Sequence, residues 1–156
     1  MICWDKIDEE MKNSAFLFFY SFSRFEFALK ENGLVTRGRR GSAQADWQTF
    51  VKKNETKYDP CEAAGQLMAE PPDVQQLEGH HAWKWAPLQF DDNQSQLSQA
   101  VLIVKTVRNN LFHGGKHSAA GWDEPERVHF LLSKSVEVLD SFVELAGYEA
   151  DYQRRY

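Results

Sequence analysis

Apolar residues recur at helical spacing along most of the chain, beginning with residues 5–32. No Pro or Gly interrupts this first segment, acidic residues occupy its first turns, and Gly33 follows it as a stop signal. One apolar stripe consists of Ile7, Met11, Phe18, Phe22, Phe25 and Leu29. Phe16, Phe19 and Phe27 lie off that stripe, so the pattern predicts a long helix that is apolar on more than one face. Its second face packs either inside one monomer or against a second subunit.

Two more long helices are predicted in the second half of the chain. One starts at the cap residues between Asp91 and Ser95 and runs through an apolar stripe to Leu111. The other starts near Glu124, just before Pro125, and is closed by Gly147.

Shorter helices are predicted between the first and the third long segments. Ser42 is the expected N-cap of a helix over residues 42–54, and Asp59-Pro60 begins another that reaches about Glu70. Residues 73–90 show no lasting period and are expected to form a long connection with one short helix at most. No strand pair with a hairpin signal is recognised, so the prediction is an all-α bundle of about four main helices in a single domain, residues 1–156.

Composition and charge restrict the classes of protein that fit. An apolar fraction of 42% and an aromatic fraction of 13% are typical of a folded chain. The net charge of -5 argues against attraction of nucleic acid by the electrostatic field of the whole protein. A contact with nucleic acid therefore requires a local basic patch. Cys3 and Cys61 are too few for a disulfide framework. With no signal peptide and no apolar run of membrane length, a cytoplasmic location away from the membrane is expected.

Two segments have both a functional and a structural interpretation. Arg37, Arg39 and Arg40 form a basic loop that either contacts a phosphate backbone or is simply solvated. Trp83 and Trp85 either cover an edge of the core or stack on bases.

Two charged residues interrupt the aromatic run of the first helix. Arg24 is expected to be solvated, as most helical arginines are. Glu26 lies between Phe25 and Phe27, and a carboxylate beside an apolar stripe needs a partner.

The strongest chemical signal is the stretch over residues 107–116, where the third long helix meets Gly114-Gly115. Arg108 falls roughly 20° from Leu97 around the helix axis, inside the apolar stripe, and roughly 140° from His113. Asn109 and His113 are four residues apart and share a neighbouring face. The negative end of the helix dipole favours an imidazolium at His113, which suits proton exchange near neutral pH.

These residue types match the needs of RNA cleavage without a metal ion. Arg108 and Lys116 are predicted to clamp a phosphate, Asn109 to position it, and His113 to move the proton of a ribose 2′-hydroxyl. No cofactor or metal is predicted, because His80, His81, His113 and His117 lack acidic partners at a ligand spacing. The structural alternative is an ion pair between Arg108 and Glu26, with His113 capping a helix end.

The stretch from Arg108 to Lys116 resembles the signature of the HEPN superfamily, an Arg followed by a polar residue and then a His near the end of a bundle helix. Phe25-Glu26 in a long aromatic first helix is also similar to HEPN proteins, especially the small plasmid-encoded branch. The motif covers about ten residues, and the order of helices extends the resemblance loosely over most of the chain.

The resemblance implies a homodimeric helical bundle whose two Arg-x4-His motifs meet in a shared cleft. It further implies metal-independent endoribonuclease activity in a toxin or anti-phage system, often with an antitoxin protein as a partner. Arg108, Asn109 and His113 are then the catalytic residues, and Glu26, Lys116, Arg37, Arg39 and Arg40 are the candidate substrate-binding residues. The alternative is a catalytically inactive HEPN dimer that binds RNA, a nucleotide or a protein partner.

Overall fold

The computed structural model describes residues 8–113 and 124–154. Its helices are α1 (Glu9–Glu31), α2 (Trp47–Asn54), α3 (Glu62–Ala69), α4 (Gln96–Phe112), α5 (Pro125–Ala146) and α6 (Glu149–Tyr152). Its strands are β1 (Val35–Arg37), β2 (Ala43–Ala45), β3 (Asp73–Glu78) and β4 (Ala82–Pro87). None of the described helices is both long enough and apolar enough to cross a bilayer.

The described chain is mostly helical, as predicted, but the expectation that it contains no hairpin is wrong. β1 pairs with β2, and β3 pairs with β4, each antiparallel. Residues 73–90, predicted to be a connection, contain the longer hairpin. Most of its side chains are exposed, so its strands lack the alternation of apolar and polar residues that marks a half-buried strand. The available signal was Gly79, which adopts a φ of 73° in the turn.

The ends of the helices follow local capping chemistry. Ser95 caps α4 as predicted, its side chain accepting a hydrogen bond from the Ser98 amide, and Gly147 ends α5 in the left-handed conformation with a φ of 70°. The predicted cap of α2 is wrong, because Ser42 lies in the β1–β2 hairpin and Asp46 is the N-cap. The Asp46 carboxylate accepts bonds from the Thr49 amide at 2.9 Å and the Thr49 hydroxyl at 2.7 Å, which lower its pKa.

Within residues 8–113 and 124–154, the buried apolar residues other than Ala28 form one hydrophobic cluster around the long helices. α5 packs along α1, α3 and α4, and α2 contacts α4. At the centre, the ring of Phe25 lies 5.0 Å from Trp47, 5.2 Å from Phe50 and 5.8 Å from Phe142, measured between ring centroids. Aromatic pairs of this kind add about 0.5–1.5 kcal/mol each beyond their burial, so this cluster joins α1, α2 and α5 firmly.

Arg24 was predicted to be solvated, and this prediction is wrong, because only 2% of the residue is exposed. Its Nε donates a hydrogen bond to the Tyr152 carbonyl at 3.0 Å, and its Nη2 donates to the Asp151 carbonyl. The guanidinium carbon also lies 4.6 Å from the centroid of the Phe27 ring. Arg24 is therefore a buried anchor for α6, and a contact between residues so distant in sequence has no local pattern that predicts it.

Candidate functional site at the end of α4

The three predicted catalytic residues occupy the last turns of α4 and the position just after it. Arg108 is half-buried, whereas Asn109 and His113 are exposed. His113 is the C-cap, and its amide donates to the Asn109 carbonyl at 3.0 Å. Lys116, together with the double glycine before it, lies outside the described residues, so its predicted role as a phosphate clamp stays a prediction.

The predicted alternative for Arg108, an ion pair with Glu26, is wrong. The guanidinium carbon lies 4.6 Å from the Phe112 ring centroid and 5.9 Å from that of Phe22, and Nη1 donates to the Asn109 side-chain oxygen at 3.1 Å. No carboxylate within residues 8–113 and 124–154 forms an ion pair with Arg108. Stacking on rings orients a guanidinium and leaves its positive charge available to an anion.

Glu26 has a different partner, which joins α1 to α2. Its Oε1 accepts a hydrogen bond from the indole Nε1 of Trp47 at 3.0 Å. The requirement for a partner beside the apolar stripe is thus met by a neutral donor. A carboxylate at this position repels a phosphate, and the role of Glu26 in substrate binding stays a prediction.

A pocket of about 210 Å³ lies between the end of α4 and strand β3. Its lining residues are Val74, Gln75, Thr106, Asn109, Asn110 and His113. Asn110 fixes the strand against the helix, because its side-chain amide donates to the Asp73 carbonyl at 2.9 Å. Asn109 and His113 therefore share one pocket, as their spacing predicts, while Arg108 is not among its lining residues.

Sequence reasoning missed Asn110 and Gln75. Asn110 is 5% exposed, and a buried amide needs a hydrogen-bond partner. The sequence signal was an asparagine among the apolar positions of a helix, but it does not reveal the partner. Gln75 offered no signal, because it enters the site through a strand that was predicted to be a connection.

An exposed aromatic face, consisting of Phe16, Phe19, Tyr20 and Phe112, borders Arg108. Phe16 is 68% exposed, and Phe112 is 50% exposed while contacting both Arg108 and Phe19. The ring centroids of Phe19 and Phe112 are 5.4 Å apart. The second apolar face predicted for the first helix is confirmed, and it continues onto the end of α4.

The three loop arginines lie in the β1–β2 hairpin, at the C-terminal end of α1. Arg37, Arg39 and Arg40 are all exposed, and none of them has an ion-pair partner among the described residues. The turn is compact, since a Cβ added at Gly38 would lie 2.5 Å from the Gln44 side chain. The three arginines form a concentrated positive patch outside the His113 pocket.

Replacing Arg37, Arg39 and Arg40 with Ser is expected to weaken RNA binding and to flatten its salt dependence. The logarithm of the binding constant decreases with the logarithm of the salt concentration. For every phosphate that an arginine no longer neutralises, this negative slope becomes less steep by about 0.7 for a single strand. Fluorescence anisotropy of labelled single-stranded RNA across a salt series measures both quantities. A matched triple replacement removes equal charge from Lys52, Lys53 and Lys57, which are exposed and, like the three arginines, have no ion-pair partner among the described residues. If RNA binding has the same salt dependence in the two triple variants, the hairpin arginines are solvated and do not contact the RNA.

In the described part of the chain, no cluster of three or more His, Cys, Asp or Glu residues is placed to hold a metal ion. Comparison with protein-family models, with curated proteins and with solved structures found no match. Function is therefore inferred from the residues at the end of α4 and their surroundings.

Proposed function

We propose that the protein is a metal-independent endoribonuclease that acts as a homodimer, in the manner implied by its HEPN-like motif. One observation carries this proposal. An exposed histidine and an exposed amide share a pocket at a helix end, next to an arginine whose charge is not neutralised by any described carboxylate. Cleavage of a phosphodiester needs such groups: one to transfer a proton, one to position the phosphate and one to stabilise its negative charge.

In the proposed reaction, His113 takes the proton from a ribose 2′-hydroxyl. The 2′-oxygen then forms a bond to the adjacent phosphorus, and the bond from phosphorus to the 5′-oxygen of the next nucleotide breaks. The leaving 5′-oxygen takes a proton from water, and His113 then releases its proton to water. The products are a 2′,3′-cyclic phosphate and a 5′-hydroxyl. Arg108 stabilises charge on the pentacoordinate phosphate, and Asn109 orients it.

The dimer solves a geometric difficulty of the single chain. Arg108 stacks on Phe112 at the edge of the aromatic face, whereas His113 lines the pocket beside β3. Their directions around the helix axis differ by roughly 140°. A second copy that covers the aromatic face brings its own motif near Arg108. The exposed rings support this arrangement, because contiguous exposed apolar patches mark interaction surfaces.

The wider setting is proposed on the family resemblance. It is a toxin or an anti-phage defence component in the cytoplasm, with RNA as the substrate and an antitoxin protein as a partner. The competing proposal is a catalytically inactive dimer that binds RNA or another partner through the same cleft. The observation that favours it is the absence of Arg108 from the lining of the His113 pocket.

The proposed function predicts cleavage of single-stranded RNA by the purified protein in the presence of EDTA. The products should carry 2′,3′-cyclic phosphate ends, because the 2′-oxygen is the nucleophile and no metal-activated water is needed. Mass spectrometry of the fragments identifies these ends. The matched substrate has a single 2′-deoxyribose at the cut position and should resist cleavage there. Efficient cutting at that deoxyribose, or cutting only after a metal ion is added, would disprove this mechanism.

A further inference from the structure

The β3–β4 hairpin presents a row of large side chains to solvent. In the antiparallel register, Leu77 lies opposite Trp83, and Gln75 lies opposite Trp85. Side chains two residues apart on a strand share a face, so these four lie on the same face of the hairpin. Leu77 is 82% exposed and Trp83 is 57% exposed.

This row begins at the candidate active site. Gln75, its inner end, lines the pocket that also holds Asn109 and His113. The hydrogen bond from the Asn110 side chain to the Asp73 carbonyl ties the start of β3 to α4. The hairpin is thus fixed at its base, and Trp85, Trp83 and Leu77 follow Gln75 outwards from the pocket.

The row has no evident role in the folded core. Val74, on the opposite face of β3, packs against the core cluster, but neither Trp83 nor Trp85 does so. The two indole rings contact each other edge to face, with centroids 5.8 Å apart and planes at 87°. In a perpendicular pair one ring presents its edge, so ring surface remains open to a further planar group.

We propose that three residues of this row, Gln75, Trp83 and Trp85, which we call the tryptophan platform, bind an unpaired nucleobase next to the scissile phosphate by stacking. The inference depends on the proposed function, because the position of that phosphate at His113 defines which base reaches the platform. Stacking on an aromatic ring suits every base, and the Gln75 amide adds both a donor and an acceptor for a base edge. The platform therefore selects RNA that is single-stranded at the cut site.

A nucleobase fits this surface better than a protein partner does. The apolar part of the row consists of only three side chains, two indoles and Leu77. Its contact area is small for a stable protein interface, which buries about 800 Å² on each partner. The position beside the His113 pocket also requires an occupant that extends from a phosphate, which a nucleotide chain does.

The test is binding of a short, fully 2′-O-methylated single-stranded oligonucleotide, which cannot be cleaved by 2′-oxygen attack. Trp83→Ala should weaken its binding by about fivefold or more, whereas Trp83→Phe, which keeps an aromatic ring, should bind close to wild type. Leu77→Ala is the matched control, because it removes an even more exposed apolar side chain that cannot stack. An oligonucleotide with an abasic position at the stacked base should bind wild type and Trp83→Ala equally well. Circular dichroism establishes that each variant is folded.

The outcomes separate this inference from the proposed function. Equal binding by wild type and Trp83→Ala overturns the platform, even if the protein cleaves RNA. A loss in Leu77→Ala as large as that in Trp83→Ala also overturns it, since such a loss indicates a general apolar docking surface for a protein. Ring-dependent binding by a protein that cleaves no RNA supports the platform and overturns only the nuclease proposal.

Discussion

An equimolar mixture of Arg108→Ala and His113→Ala chains is expected to cleave RNA, although neither variant does so alone. In a mixed dimer, one subunit retains Arg108 and the other retains His113. If each site takes its arginine and its histidine from different subunits, one complete site is restored. With random pairing, the mixture recovers at most about a quarter of the wild-type rate.

Each single variant should lose a large factor in rate. Proton transfer by a positioned side chain contributes about 10² to 10⁴-fold, so His113→Ala is expected to fall by at least the lower figure. Arg108→Ala removes the positive group that is proposed to stabilise the pentacoordinate phosphate, and its rate should fall by a similar factor. Initial rates on a fluorogenic RNA, measured after the two variants have been mixed and allowed to exchange subunits, provide the comparison.

The matched control replaces a histidine far from the end of α4 in sequence. His129 on α5 has a side chain that is 43% exposed and contacts Ser14 and Glu10, so His129→Ala removes an exposed imidazole without touching the site. That variant should cleave RNA at the wild-type rate by itself. A mixture of Arg108→Ala and His113→Ala that stays as inactive as its components, despite demonstrated exchange, would contradict a site shared between subunits.

Replacing Phe19 with Glu is expected to convert the protein into a monomer that no longer cleaves RNA. Phe19 is 44% exposed and contacts Phe112 within the aromatic face. A two-fold interface meets the substitution twice, and an unpaired carboxylate buried in an interface costs about 3–5 kcal/mol. The dissociation constant of the dimer should therefore increase by at least about a hundredfold. Analytical ultracentrifugation across a concentration series measures this change against the 18.1 kDa mass of the chain.

The control for this substitution is Val35→Glu, because Val35 is an apolar residue of nearly equal exposure, 45%, in strand β1. It adds the same charge outside the aromatic face and should leave dimerisation unchanged. A wild-type protein that sediments only as a monomer at micromolar concentration would contradict the proposed dimer. An active, monomeric Phe19→Glu variant would show that cleavage does not need the second subunit.

The sequence predicted the long helices well, because the signals for them are local. Apolar residues at a period of 3.6 define a helix, and Ser95, Pro125 and Gly147 act on backbone groups within a few residues of themselves. The hairpins were missed for the opposite reason. Their strands are joined by hydrogen bonds between chain segments, and their exposed side chains carry no alternation of apolar and polar residues.

For the candidate site, the sequence by itself determined which residues share a face of one helix. Asn109 and His113 lie together and Arg108 lies apart, because helix geometry fixes the angles between them. Only the tertiary structure decided what surrounds those residues. Arg108 meets aromatic rings instead of Glu26, and strand β3 forms the wall of the His113 pocket. These contacts join segments far apart in the chain, and packing of the whole core, which no local pattern encodes, sets the distances between them.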